Sequence, residues 1–137
     1  MMTKHSLFLF VAGLMALVLT GCGHKSDKNA PAKVVYEQTD IDLGDIYAED
    51  GPKKVKFKVK NDGGGAFRIV NVASTCDCTD AEYSSDFVYG GESTTINVTL
   101  NVAKLYDGGF ERMIGVQTDL KQQLDTLYFH GVVKHRK

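Results

Sequence analysis

Tryptophan is absent from this chain, and only two prolines and three cysteines occur in it. After residue 33 no pair of cysteines is widely spaced. An antibody-type domain is therefore excluded, because it packs a buried Trp against a disulfide linking its two sheets. Charge of one sign is not in excess either: 16 basic residues face 17 acidic ones, for a formal net charge of −1. Without a basic stripe, nucleic-acid binding has no electrostatic footprint, and no nucleic-acid partner is expected. Sustained helical periodicity is missing throughout the part after residue 33. Ser93, Thr94, Thr95 and the four histidines form no local arrangement of nucleophile and base, so no catalytic residue is assigned and no enzyme is expected. Asp40, Asp42 and Asp45 lack the spacing and the final Glu of a calcium loop and read as solvated strand and turn acids.

The one long apolar run, Leu7 to Leu19, is too short for a transmembrane helix, which needs about 20 residues. With Lys4 ahead of it, it reads as an export signal. The run ends in Leu19-Thr20-Gly21-Cys22, which resembles the bacterial lipobox. Small residues there let a peptidase reach the backbone, and the Cys22 thiol becomes the lipid attachment point. Each buried CH₂ of an acyl chain contributes about 0.8 kcal/mol, so several chains anchor a protein almost permanently. Residue 23 is Gly instead of Asp, which points to the outer membrane of a bacterial envelope. The expected organisation is a signal peptide over 1–21, lipidated Cys22 and a polar tether over 22–33, and one domain over 34–137. The membrane is then a partner through the lipid.

The domain reads as short strands. "KKVKFKVK" (Lys53–Lys60) alternates strictly, with Val55, Phe57 and Val59 on one face and Lys54, Lys56, Lys58 and Lys60 on the other. The lysine row reads as a solvated face or guarded edge; a strip for anionic glycans or lipid heads is the alternative. "NDGGG" (Asn61–Gly65) is a turn. It is not a phosphate loop, because "AFRIVNV" behind it reads as a strand and not as a helix. In that strand the apolar parity changes between Ile69 and Val70, which predicts a bulge or burial on both faces. The cysteine stretch "STCDCTD" and a loose segment, "AEYSSDFVYGGE", follow. Glu92–Val102 alternates cleanly, Phe110–Thr118 is a further strand, "DLKQQ" is a short loop, and Leu124–Val133 closes the set. In the last strand Tyr128 and His130 share the outer face. "VVYEQTDIDLGDI" supplies a first strand and a short second one. About seven short strands with regular turn signals predict an all-β, antiparallel, immunoglobulin-like sandwich.

The order of "DLGDI", a strand ending in "NDGG", "RIVNVASTCDCT", a Gly-Glu turn and a closing "FHGVV" resembles the bacterial lipoprotein family called domain of unknown function 1573. That family carries a Ser-Cys-Gly-Cys-Thr motif and a Pro-Gly-Glu turn. Here Thr75 separates Ser74 from Cys76, Asp77 replaces the Gly, and Gly90 replaces the Pro. The resemblance implies an Ig-like sandwich related to Hydin-type and major-sperm-protein-type domains, and a location in the envelope. It implies no molecular activity.

Cys76 and Cys78 have three readings. An oxidising compartment favours pairing, but residues two apart in an extended strand sit about 6.5–7 Å apart at Cα, the upper limit for a disulfide. A turn or bulge is needed to close the gap. Alternatively the two thiols clip a soft metal. Cu(I) accepts two or three thiolates, whereas Zn needs further ligands such as His130 or His135 arriving through the fold. The third reading is redox exchange. Asp77, Asp80 and Glu82 flank the pair, and acids raise a thiol's pKa, which disfavours a nucleophile. No cofactor follows from the sequence beyond the Cu or Zn alternative. The expected function is a non-catalytic binding or scaffolding module held by lipid, with an envelope protein or glycan as partner.

Overall fold

The computed structural model describes residues 29–137. The expected export signal and the expected acylation position, Cys22, lie outside the described residues. Eight strands follow one another: β1 (Val34–Tyr36), β2 (Asp40–Tyr47), β3 (Lys53–Asn61), β4 (Ile69–Ser74), β5 (Thr79–Glu82), β6 (Ser93–Leu100), β7 (Gly108–Thr118) and β8 (Lys121–Lys134). Two single 3₁₀ turns, Ala48–Asp50 and Val102–Lys104, join them. The strands form two four-stranded sheets, ordered β1-β3-β6-β5 and β2-β8-β7-β4. The expected Ig-like sandwich is thus present. The pairings are antiparallel except β2 with β8, which run parallel. Among the described residues no helix is long and apolar enough to cross a membrane.

Alternation builds the core. Val55, Phe57 and Val59 of β3 lie buried beside Ile96, Val98 and Leu100 of β6, with Phe57 opposite Ile96 and Val55 opposite Val98. Facing them, Ile114 and Val116 of β7 join Leu127, Phe129 and Val133 of β8. Each such side chain gains roughly 1.5–3 kcal/mol by leaving water. The lysine row falls on the outer face of β3. β1 covers β3 only from Val59 to Asn61, so Lys54 and Lys56 lie where no strand pairs with β3 on that side, and the row combines a wet face with a guarded edge; Lys58 pairs with Glu37 at 2.7 Å, and Lys60 with Asp62 at 3.4 Å.

The parity break in β4 is a bulge: the register with β7 shifts between Ile69 and Asn71, which leaves Val70 turned outward. β5 takes in the end of the cysteine stretch and the first two residues of the segment expected to be loose, and "DLKQQ" is mostly strand, because β7 and β8 continue to a tight turn at Asp119–Leu120. The "DLGDI" and "FHGVV" stretches meet as the parallel β2–β8 pair. Gly44 there has φ +61°, and its N–H bonds Asp42 Oδ1 at 2.8 Å, so the strand bulges between Asp42 and Asp45.

The "NDGGG" turn receives the incoming chain. Asn61 is fully buried. Its Oδ1 accepts N–H bonds from Lys33 (3.1 Å) and Gly63 (3.0 Å), and its Nδ2 donates to the carbonyls of Gly65 (2.8 Å) and Val88 (2.9 Å). Residues 31–33 cross the turn so closely that a Cβ on Gly63 would collide with the Pro31 carbonyl and Lys33 N. Glycine is therefore required at position 63 by backbone contact.

The fold thus has two distinct ends. The chain enters at the end formed by Asn61, the Gly63 turn, Phe67 and Val88. Running along β3, β4 or β6 from there leads to the other end, where Lys53, Ser74 and Leu100 lie.

Candidate functional site

At that far end, β4 stops at Ser74 and the chain doubles back into β5. Ser74 Oγ accepts the Cys76 N–H at 3.2 Å and donates to the Cys76 carbonyl at 3.3 Å. The Thr79 N–H then bonds the Cys76 carbonyl at 3.2 Å, closing a turn over Cys76–Thr79. This turn brings the two Cα atoms to 5.1 Å, and Cys76 and Cys78 form a disulfide. The Asn101 N–H holds the Cys78 carbonyl at 2.7 Å, tying the loop to the end of β6. Cys78 is part of the core at 2% exposure, while Cys76 is half-buried. The ring spans only Cys76, Asp77 and Cys78, so its effect on unfolded-chain entropy is small. It contributes about 1.5 kcal/mol, against about 3 for a ring of some 15 residues.

The charges around the pair differ from those expected. Asp80 and Glu82 alternate outward from β5, opposite Thr99 and Asn97, on the wet face of their sheet. Asp77 alone stays close, its Oδ1 3.9 Å from Cys76 Sγ. Lys104 answers it: its Nζ lies 3.0 Å from the Asp77 carbonyl and 3.5 Å from the carboxylate. Arg112 comes from β7, where Phe110, Arg112, Ile114 and Val116 share the inner parity. Its Nε lies 3.4 Å from Cys78 Sγ, its Nη1 donates to the Glu111 carbonyl at 2.7 Å, and its guanidinium sits 5.9 Å from the Phe110 ring. Two cations from distant segments therefore border a pair whose sequence neighbours are acids. A charged residue in the inner register of an apolar strand was the one sequence signal for Arg112; Lys104 had none.

Neither His130 nor His135 reaches the cysteines. His130 lies on the outer face of its sheet, with Nε2 3.4 Å from Asp40 and Nδ1 3.7 Å from Asp42. His135 sits between Glu49 (2.9 Å) and Asp107 (2.7 Å). The hydrogen bond to Glu49, then the Asp107 charge, holds the His135 pKa above the usual imidazole value. Among the described residues no group of three or more His, Cys, Asp or Glu side chains is arranged to hold a metal ion. At the opposite end Phe87 and Tyr89 are 49% and 59% exposed, with Arg68 stacked 5.3 Å from the Phe87 ring.

A family model described as "Protein of unknown function (DUF1573)" matches residues 34–133. The chain belongs to this family. The DUF1573 match takes in every stretch that carried the resemblance, the cysteine pair included. No curated protein matches the chain. Among solved structures, a protein of unknown function from Porphyromonas gingivalis W83 is similar at 18% identity and a TM-score of 0.61, over 74% of this chain and 46% of that one. This DUF1573 chain thus spans less than half of that protein. The seventh PapD-like (ASH) domain of human CEP192 is similar at 11% identity and a TM-score of 0.59, over 77% of this chain and 87% of that one. The YadV chaperone is similar at 14% identity and a TM-score of 0.53, over 76% and 52%. At these identities the likeness is one of fold, the PapD-like sandwich.

Proposed function

We propose that this DUF1573 chain is a non-catalytic binding or scaffolding module of the bacterial envelope, anchored by lipid at Cys22. In this reading it presents the cysteine end of its sandwich to a protein partner. The observation that carries the reading is the opposition of the two ends. The chain enters beside Asn61, and the Cys76–Cys78 turn lies across the length of the sandwich from it. A module anchored through residues 22–33 therefore holds its entry end toward the bilayer and its cysteine end toward solvent. Exposed Phe87 and Tyr89 beside Arg68 at the entry end support the same orientation, because amphipathic rings and cations suit the headgroup region.

Cell fractionation and photo-crosslinking test this proposal. The wild-type protein is expected in the membrane fraction with acyl chains on Cys22, and Cys22→Ala is expected to leave it. A photo-crosslinking residue in place of exposed Thr75 should capture a discrete protein, and one in place of Phe87 should capture lipid. Protein adducts from position 87 with none from position 75 would reverse the proposed orientation and overturn the reading.

A further inference from the structure

We propose that Cys76–Cys78 is an exchangeable disulfide whose polarity is set by the fold. The thiolate of an incoming dithiol attacks Cys76 Sγ, and Cys78 Sγ leaves as a thiolate held by Arg112. This goes beyond the binding reading and does not rest on it.

Three observations carry the inference. The first is asymmetric access: Cys76 is half-buried at the surface, while Cys78 is 2% exposed. A nucleophile therefore meets Cys76 first. The second is the placement of Arg112. A disulfide sulfur is a poor hydrogen-bond acceptor and a thiolate a strong one, so the Nε–H contact at 3.4 Å strengthens as Cys78 departs. Lower leaving-group pKa speeds exchange, and a neighbouring guanidinium lowers it. Burial acts the other way by raising a thiol's pKa, and Arg112 offsets that penalty where it falls. The contacts of Arg112 are the Glu111 carbonyl, the Phe110 ring and Cys78, and among the described residues no carboxylate forms an ion pair with it. The other groups facing the pair are Asp77, whose carboxylate is taken up by Lys104; Thr79 Oγ1, 3.6 Å from Cys78 Sγ; and the Cys78 backbone N–H, 3.1 Å from Cys76 Sγ, a neutral donor weaker toward a thiolate than the charged guanidinium. Asp80 and Glu82 point away. The third observation is the size of the ring. A clip closing so few residues adds little to stability, so reducing it leaves the sandwich standing.

The step balances. One S–S bond forms between the incoming sulfur and Cys76 as the Cys76–Cys78 bond breaks, and its electron pair stays on Cys78. The second thiol of the dithiol loses its proton to solvent and attacks the mixed disulfide, and Cys76 leaves with the electron pair. The dithiol ends as a disulfide, and the cysteine pair has gained two electrons.

The test uses the full-length protein. Ultraviolet thiolate absorbance of Cys76→Ser, with that of Cys76→Ser/Cys78→Ser subtracted, gives the Cys78 pKa and cancels any signal from Cys22. Adding Arg112→Met is expected to raise that pKa by about one unit or more, and Arg112→Lys to restore part of the shift. With both cysteines intact, dithiothreitol should reduce Arg112→Met about threefold or more slowly than wild type. Arg112→Gln replaces the Met variant if thermal melting shows that it has lost its fold. A mixed disulfide formed with excess glutathione and quenched in acid should map to Cys76. An unchanged Cys78 pKa without the guanidinium, an unchanged reduction rate, or a mixed disulfide on Cys78 each overturns the proposal. A purely structural Arg112 would lower the melting temperature and move none of these readouts.

Discussion

Replacing Asn61 by Ala removes four hydrogen bonds at once. Asn61 is fully buried, and both its donors and both its acceptor sites are used, by Lys33, Gly63, Gly65 and Val88. Its bond to Val88 is buried, and the other three are partly accessible to water. An unpaired buried polar group costs about 1–3 kcal/mol, and groups that water can reach cost about 0.5–1.5 each. Asn61→Ala is therefore expected to lose about 3–7 kcal/mol, a large share of the roughly 5–15 available to a domain. That corresponds to a melting temperature lower by about 15–35 °C. Asn61→Asp keeps the two acceptor sites but sets a carboxylate against two carbonyls, so it should be at least as damaging. Urea unfolding of the three proteins at one pH measures the losses. A loss below about 1 kcal/mol for Asn61→Ala would refute the reasoning, because it would mean that water replaces all four bonds.

Two further outcomes follow from the far end of the sandwich. Cys76→Ala/Cys78→Ala should remain folded and lose only about 2 kcal/mol in urea unfolding, from the small ring and the trimmed Cys78 contact; a loss above about 5 kcal/mol would show that the ring-entropy account is wrong. His135 should titrate above the ordinary imidazole value by NMR, and Glu49→Gln should bring it down. Since its folded pKa is the higher one, its contribution to stability is full below the unfolded value and is lost as pH rises through the folded value. A wild-type midpoint at or below the ordinary value would contradict the Glu49 and Asp107 contacts.

The strands with strict alternation were legible from sequence because burial on one face imposes period two. β3, β6 and the inner faces of β7 and β8 needed nothing more. The bulge after Ile69 was legible for the same reason, as a break in parity. β5 was not: Thr79-Asp80-Ala81-Glu82 has little intrinsic strand character, and it becomes a strand because the edge of β6 is open to it. The buried Asn61 read only as a turn residue, since its four partners span positions 33 to 88.

The cysteine site divides along the same line. Sequence alone determined the family, the sandwich and the nearness of two thiols, because local pattern and spacing are properties of the chain. It also placed acids beside the thiols, and that proved a poor guide to their electrostatics. Alternation turned Asp80 and Glu82 outward, while the pairing of β7 carried Arg112 in from 34 residues away and the 3₁₀ turn after β6 brought Lys104 to Asp77 from 27. Electrostatic interaction depends on distance through space, so the charge that meets Cys78 was decided by the tertiary structure.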